Sequence, residues 1–460
     1  MNMKHLPPIL AALAAATSAV VAADPPQLPL PTSHQADWLD AQIGVFIHWA
    51  PNVYQGSEGD NLSTPRERIN PDRFNAAQIV QAAMSAKAGY IIFVAKHVGG
   101  YCAWQTDTTD YSLKTSPWKN GKGDMVAELA KACRDHGLRF GVYLSPRSDI
   151  HKVAGGGHAA DADKQKDYNE IYRRQLSEIL TNYGPMFEMW FDGGNIVPVN
   201  DLIEKLAPGI ITFQGRRANS TRWVSNEHGF APYPCWNTLD WKEGETPREG
   251  AGSPTGNIWC PAECDVSILR PNWFWSAGSE NRILSLDDLV EIYYMSVGRG
   301  VNLLLNITPD DHGQVPEAQV LRLKEFGDEI TTRFGKPLAA TKGEGKSLEL
   351  KLAAPATVDH FRLQEDIRLG ERVRQCLVEG CREDGTWTTL WRGTQIGARQ
   401  IVPIAPVTLT ALRVKIEQSI GEPVLRELAA FHVKRPVPKA AGRQMASPQP
   451  PPLPNEGKEP

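Results

Sequence analysis

Short apolar runs alternate with amphipathic stretches from residue 36 to residue 334, and that rhythm is the chain's clearest structural signal. Runs at 43–49, 90–97, 139–145, 187–192, 209–214, 223–224 and 302–307 are rich in β-branched and aromatic residues and predict strands. Segments at 74–87, 125–136 and 168–182 carry apolar residues at helical spacing and predict helices. Strands alternating with helices build a parallel sheet. A span of about 300 residues with this rhythm predicts an α/β fold, a (β/α)8-like barrel over residues 33–337. The runs alone do not fix the strand count at eight.

The texture changes after Pro337. Runs at 348–352, 361–363, 373–378, 387–391 and 409–416 alternate apolar and polar positions, which predicts a C-terminal antiparallel β-sandwich over 341–435. Residues 436–460 are rich in Pro, Lys and Gln and poor in apolar side chains, which predicts a disordered tail. At the other end, Lys4 precedes an apolar run at 6–21, and Val20-Val21-Ala22-Ala23 offers small residues for cleavage. This predicts a signal peptide over residues 1–23. The run is too short and Ala-rich for a good membrane span, and no later stretch reaches about 18 apolar residues. A periplasmic or secreted protein without membrane insertion is expected.

Composition narrows the partners. Charged residues are 22%, hydrophobic ones 41%, and the net charge is -4, so nothing electrostatic favours nucleic acid or an anionic membrane. The sequence carries no signal of oligomeric state. Seven cysteines leave at least one unpaired within the chain. Cys260 and Cys264 have a spacing seen in metal sites, but no second Cys/His pair follows, so no structural zinc is expected. A local disulfide and free buried thiols both remain open.

Polar residues gather at the ends of the predicted strands. His48 closes the first, His97 the second, Tyr143 and Ser145 the third, and Asp192 a later one. Glu227 follows in the loop Ser225-Asn226-Glu227-His228-Gly229. Asp192 ends the apolar strand Met189-Trp190-Phe191 and precedes Gly193-Gly194. A carboxylate there is costly unless it is used, and the glycines let a ligand approach the backbone. Taken alone, Asp192 reads equally well as a helix cap. Several polar strand ends on one barrel rim favour a site. Two chemistries fit it. His48, His97, Asp192 and Glu227 could hold a water-activating metal, or Asp192 and Glu227 could act directly on a glycosidic bond. No His-x-His pair or helical i, i+4 His pair is present. Trp49, Trp104, Trp190, Trp223 and Trp236 suit a sugar ring better than a hydrated metal. Glycoside hydrolysis with no metal or other cofactor is therefore expected.

At this point an ordered set of motifs resembles a known family. His48-Trp49 after Gly44-Val45-Phe46-Ile47, Ala95-Lys96-His97, Tyr143-Leu144-Ser145, Trp190-Phe191-Asp192-Gly193-Gly194 and Asn302-Leu303-Leu304-Leu305-Asn306-Ile307-Thr308-Pro309 resemble α-L-fucosidases of glycoside hydrolase family 29. Arg222-Trp223 followed by Asn226-Glu227 resembles the subgroup acting on α-1,3/1,4-linked fucose. The resemblance implies a fucosylated oligosaccharide or glycoconjugate substrate. It implies Asp192 as nucleophile and Glu227 as acid/base, with Glu263 in reserve. It further implies that His48 and His97 hold sugar hydroxyls, that Trp190 lies against the ring, and that Tyr143 and Glu263 contact substrate. Two departures stand out. His97-Val98-Gly99 stands where the family often has His-His-Asp, and the Glu-Trp pair that many members carry after the first strand is missing, with Glu58 as a candidate stand-in.

Retention requires carboxyl groups about 5–5.5 Å apart. Asp192 must be ionised to attack, and Glu227 must start protonated, which calls for apolar walls or the nearby charge of Asp192. The rival expectation is a barrel that binds fucose without cleaving it.

Overall fold

The computed structural model describes residues 28–439. The expected signal peptide and most of the expected tail lie outside them. Eight parallel strands close into a barrel: β1 (Ile43–Ile47), β2 (Tyr90–Lys96), β3 (Arg139–Leu144), β4 (Glu188–Trp190), β5 (Ile211–Phe213), β6 (Ser220–Trp223), β9 (Ala262–Ser267) and β10 (Asn302–Ile307). A short ribbon of β7 (Thr238–Leu239) and β8 (Ile258–Trp259) interrupts the series between β6 and β9. The expected barrel is present. The strand that sequence reading missed is β9, whose Ala262-Glu263-Cys264-Asp265 alternation carries too many polar residues to read as a core strand.

Helices α1 (Ser33–Ala41), α2 (Ala76–Ser85), α3 (Met125–His136), α4 (Ala162–Asn182), α5 (Asn200–Leu206), α6 (Leu286–Met295) and α7 (Glu317–Phe334) surround the strands. Five of them start at side chains that take up free N-terminal N–H groups, while α5 and α7 have no such cap. Asn75 caps α2, Asp124 caps α3, and Ser285 with Asp288 forms a capping box on α6. The strands are buried on both faces, as a parallel barrel requires. Val45, Ile47, Ile91, Phe93, Leu303 and Leu305 pack outward with the helices in one core. Phe46, Tyr90, Ile92, Tyr143, Trp190, Phe213 and Leu304 fill the interior in another. Each such side chain contributes about 1.5–3 kcal/mol by leaving water.

The C-terminal unit is one six-stranded antiparallel sheet in the order β11-β16-β12-β15-β13-β14. Its strands are β11 (Ala339–Glu344), β12 (Ser347–Glu365), β13 (Val373–Cys381), β14 (Trp387–Gly393), β15 (Gln400–Ser419) and β16 (Val424–Phe431). Two predicted strands, 348–352 and 361–363, are the halves of β12. Register shifts between Lys351 and Ala356 and between Val358 and His360 bend the β12–β15 pair. The sheet thereby encloses its own core, which includes Leu350, Phe361, Val378, Leu412 and Leu428. It docks on the barrel through buried apolar side chains, among them Ile367, Ala398, Ile401 and Phe431, and through polar contacts. The Glu371 carboxylate accepts from Asn237 N at 2.8 Å and Asn237 Nδ2 at 2.7 Å, and Arg426 Nη2 donates to Asp40 at 2.6 Å. All seven cysteines are free thiols, six of them buried, so Cys260 and Cys264 form no bridge.

Candidate active site

Strand parity sorts the polar residues into a floor and a rim. Phe46 and Trp190 face the barrel interior, so His48 and Asp192, two residues further on, continue that face upward. Strand β2 needs a correction to reach the same result. Tyr90, Ile92 and Val94 point inward, which would turn residue 97 outward, but a bulge between Val94 and Lys96 shifts the phase. Lys96 consequently points out, its Nζ donating to Gln175 Oε1 at 2.8 Å beneath α4, while His97 points in. Burial of this lysine without a carboxylate lowers its pKa to about 8.

A cavity of about 320 Å³ opens at the C-terminal ends of the strands. His48, His97, Tyr143, Trp190, Asp192 and Glu227, all expected at the site, line it together. Asp192 presents its carboxylate to the opening and accepts from Tyr143 Oη at 2.9 Å. Enclosure by protein pushes the Asp192 carboxyl up, while the Tyr143 hydrogen bond pulls it down; Glu227's charge adds to the rise and Arg147's opposes it. Trp190 stacks on Phe213 with ring centroids 3.6 Å apart and planes 5° off parallel.

Both histidines are neutral acceptors or donors, not cations. Burial holds His48 well below the usual imidazole range and lowers His97 to about 4. Asn306 Nδ2 donates to Ser267 Oγ at 2.9 Å and Trp273 O at 3.0 Å, which leaves its Oδ1 facing His48 Nδ1 at 2.7 Å. Nδ1 therefore carries the proton, and Nε2 is left as an acceptor for a ligand hydroxyl.

Glu227 sits on a turn built by Asn226, whose Nδ2 donates to Phe230 O at 2.9 Å and whose Oδ1 accepts from His228 N at 3.1 Å. Glu227 shares its cavity with Asp192 and with the apolar faces of Trp223 and Trp273. Its carboxylate faces Arg270, with Nη1 to Oε2 at 3.0 Å.

Glu263 does not line the cavity, contrary to the expectation that it contacts substrate or replaces Glu227. It lies at the barrel floor, fully buried, accepting from Tyr90 Oη at 2.5 Å and Trp190 Nε1 at 2.8 Å. Glu188 shares that floor and accepts from Trp38 Nε1 at 2.8 Å. Burial pushes both carboxyls up, and the nearness of Glu188 raises Glu263 further. The cavity residue of β9 is Asp265, two positions higher on the same face. Burial pushes Asp265 up to about 8, and its Oδ1 accepts from Trp223 Nε1 at 2.6 Å.

Gln214, Glu249 and Trp273 also line the cavity and were not singled out from sequence. Gln214 Oε1 accepts from Gly193 N at 2.8 Å, and its Nε2 donates to Glu249 at 3.2 Å, tying the loop after Asp192 to the next strand end. Its position directly after the Ile-Thr-Phe strand was the available signal. Of the five tryptophans offered for a sugar, Trp190 and Trp223 reach the cavity. Trp49, Trp104 and Trp236 are buried elsewhere, Trp49 donating to Asp310 O at 3.0 Å and Trp104 to Glu178 at 3.0 Å. Glu58 does not reach the cavity either; it accepts from Trp273 N at 2.7 Å and Asn272 Nδ2 at 2.8 Å and so pins the wall that Trp273 forms. Gly99 is required by packing, since a Cβ there would lie 2.6 Å from Asp60 Oδ2. Among the described residues no group of three His, Cys, Asp or Glu side chains is arranged to hold a metal ion, so the metal alternative lacks a ligand set.

Residues 61–332 match the family model described as alpha-L-fucosidase. The chain is 31% identical to alpha-L-fucosidase 1 of Arabidopsis thaliana over 88% of each chain. The crystal structure of a putative alpha-L-fucosidase from Bacteroides thetaiotaomicron superposes with a TM-score of 0.83 at 32% identity, covering 88% of this chain and 99% of that one. A glycoside hydrolase family 29 fucosidase from Ruminococcus gnavus, solved in complex with fucose, gives a TM-score of 0.75 at 27% identity over 88% and 95%.

Proposed function

The chain belongs to the α-L-fucosidase family, glycoside hydrolase family 29, and on that premise we propose a retaining exo-enzyme that removes terminal α-1,3/1,4-linked fucose and acts outside the cytoplasm. It is a glycoside hydrolase, and its substrate is a fucosylated glycan. The observation that carries the mechanistic reading is that Asp192 and Glu227, from the loops after β4 and β6, line one cavity, where the charge of Glu227 helps to raise the Asp192 carboxyl.

In the first step Asp192 attacks the anomeric carbon. The carbon–oxygen bond to the glycan breaks, and Glu227 gives its proton to the departing oxygen. In the second step Glu227 takes a proton from water, the water oxygen bonds to the anomeric carbon, and the bond to Asp192 breaks. Esterification removes the Asp192 charge, which favours Glu227 as a base in that step. Tyr143 steadies the nucleophile by donating to it. His48 Nε2 and His97 are the contacts for sugar hydroxyls, and the Trp190 face is the wall for the ring. Val98 contributes an apolar surface where family members often carry a second histidine.

Linkage preference rests on the Arg222-Trp223…Asn226-Glu227 motif, and export rests on Lys4 with the apolar run at 6–21. Proton NMR of the first-formed fucose tests the stereochemistry. The α-anomer is expected, and initial β-fucose would refute retention. A panel of 1,2-, 1,3-, 1,4- and 1,6-linked fucosides tests linkage, with the 1,3 and 1,4 members expected to be cleaved fastest.

A further inference from the structure

The loop after β9 holds an arginine that the mechanism above leaves without a task. Arg270 reaches across the rim from that loop to Glu227, Nη1 to Oε2 at 3.0 Å, with the arginine side chain 20% exposed and the carboxylate 39% exposed. The segment that presents Arg270 is braced on several sides. Ile268 and Leu269 are fully buried, and Arg270 N donates to Ser267 O at 3.1 Å. Further along, Asn272 N donates to Leu269 O at 3.0 Å, Glu58 holds Asn272 and Trp273, and Asn306 holds Trp273 O. Such a turn offers a guanidinium from a fixed platform. Arg270 Nη1 also donates to Pro271 O at 3.2 Å, while its enclosed Nε has no hydrogen-bond partner among the described residues.

We propose that Arg270 is the positioning residue for Glu227 in the hydrolytic step. The inference rests on Glu227 being the acid/base. When Glu227 gives up its proton, the glycan leaves and Asp192 is a neutral ester, so the new carboxylate loses both its proton and its hydrogen-bond partner. Arg270 is placed to receive that carboxylate and hold it toward the space the water enters. A charge-assisted hydrogen bond of this kind fixes direction as well as charge. Removing it leaves the first bond cleavage nearly untouched for a substrate with a good leaving group and slows capture of water. The proton balance is unchanged, since the arginine transfers none.

Steady-state kinetics on a dinitrophenyl fucoside separates the two steps. In Arg270→Met, kcat should fall about tenfold or more, with KM falling in parallel and kcat/KM within about twofold. Azide, which attacks the intermediate without needing a base, restores turnover and gives α-fucosyl azide. Arg270→Lys keeps a cation at the site and recovers most of kcat. In a Glu227→Ala background, Arg270→Met adds no further loss. Unchanged kcat, or kcat and kcat/KM falling together without azide rescue, overturns the proposal and makes Arg270 a structural residue. Failure of azide to rescue Glu227→Ala itself is a different result, and it removes the assignment of Glu227.

Discussion

The rim and the floor of the barrel carry the same kinds of residue to different ends. At the floor, Glu188 and Glu263 are sealed among Trp38, Tyr90, Trp190 and Thr221, each oxygen met by a donor. At the rim, Asp192 and Glu227 sit on loops, open to a cavity, with part of their hydrogen-bonding capacity unspent. Glu263 and Asp265 show the transition within one strand, two residues apart on one face. The lower residue supports Trp190; the upper reaches the cavity. A carboxyl group in this barrel therefore takes its role from its height along the strand.

The sharpest way to break that contrast is to remove one carboxyl from each level. Glu227→Ala should cost about 10²–10⁴-fold on a natural glycan, which needs its leaving oxygen protonated, and far less on a dinitrophenyl fucoside. Equal losses on both substrates would take the acid role away from Glu227. Glu263→Leu should instead destabilise the fold by about 3–5 kcal/mol, since it leaves a buried phenol and indole N–H without acceptors. Thermal unfolding reads this directly, and a leaving-group dependence like that of Glu227→Ala would return Glu263 to the chemistry.

Asp265 tests the boundary between the levels. Its carboxyl is raised to about 8 by burial and so is protonated at pH 7. Asp265→Asn mimics that neutral form and should keep activity at pH 7 within about threefold. Wild-type activity is expected to decline as pH rises through 8, and the variant should lose that limb. A decline that persists unchanged would assign it to another group. The smallest effect is expected at Glu188→Gln. Because the folded pKa of Glu188 is raised to about 8, its proton stabilises the native state below the unfolded value, and that contribution is lost as pH rises toward 8. The variant should show a flatter stability–pH curve from about pH 4.5 to 8, with activity at neutral pH nearly unchanged.

Much of this was legible in the sequence. Alternating apolar and amphipathic segments announced the barrel, and an acid ending an apolar strand before two glycines marked Asp192. What stayed hidden has physical reasons. Strand β9 buries three polar side chains inside the barrel, so its pattern does not read as core. The level of Glu263 depends on strand register, which one carboxylate in a motif does not reveal. His97 faces the cavity because of a one-residue bulge in β2 that no local composition signals. The partner of Glu227 comes from 43 positions downstream (Arg270 against Glu227), a contact that the pairing of β6 with β9 creates.

The assignment of Asp192 as nucleophile is tested most directly by Asp192→Ala with an aryl fucoside, with and without azide. Turnover should fall by about 10³-fold or more. Azide should restore it, and the product should be β-fucosyl azide, inverted because azide attacks the substrate in place of the missing carboxylate. Activity within tenfold of wild type, or rescue giving the α-product, would contradict it.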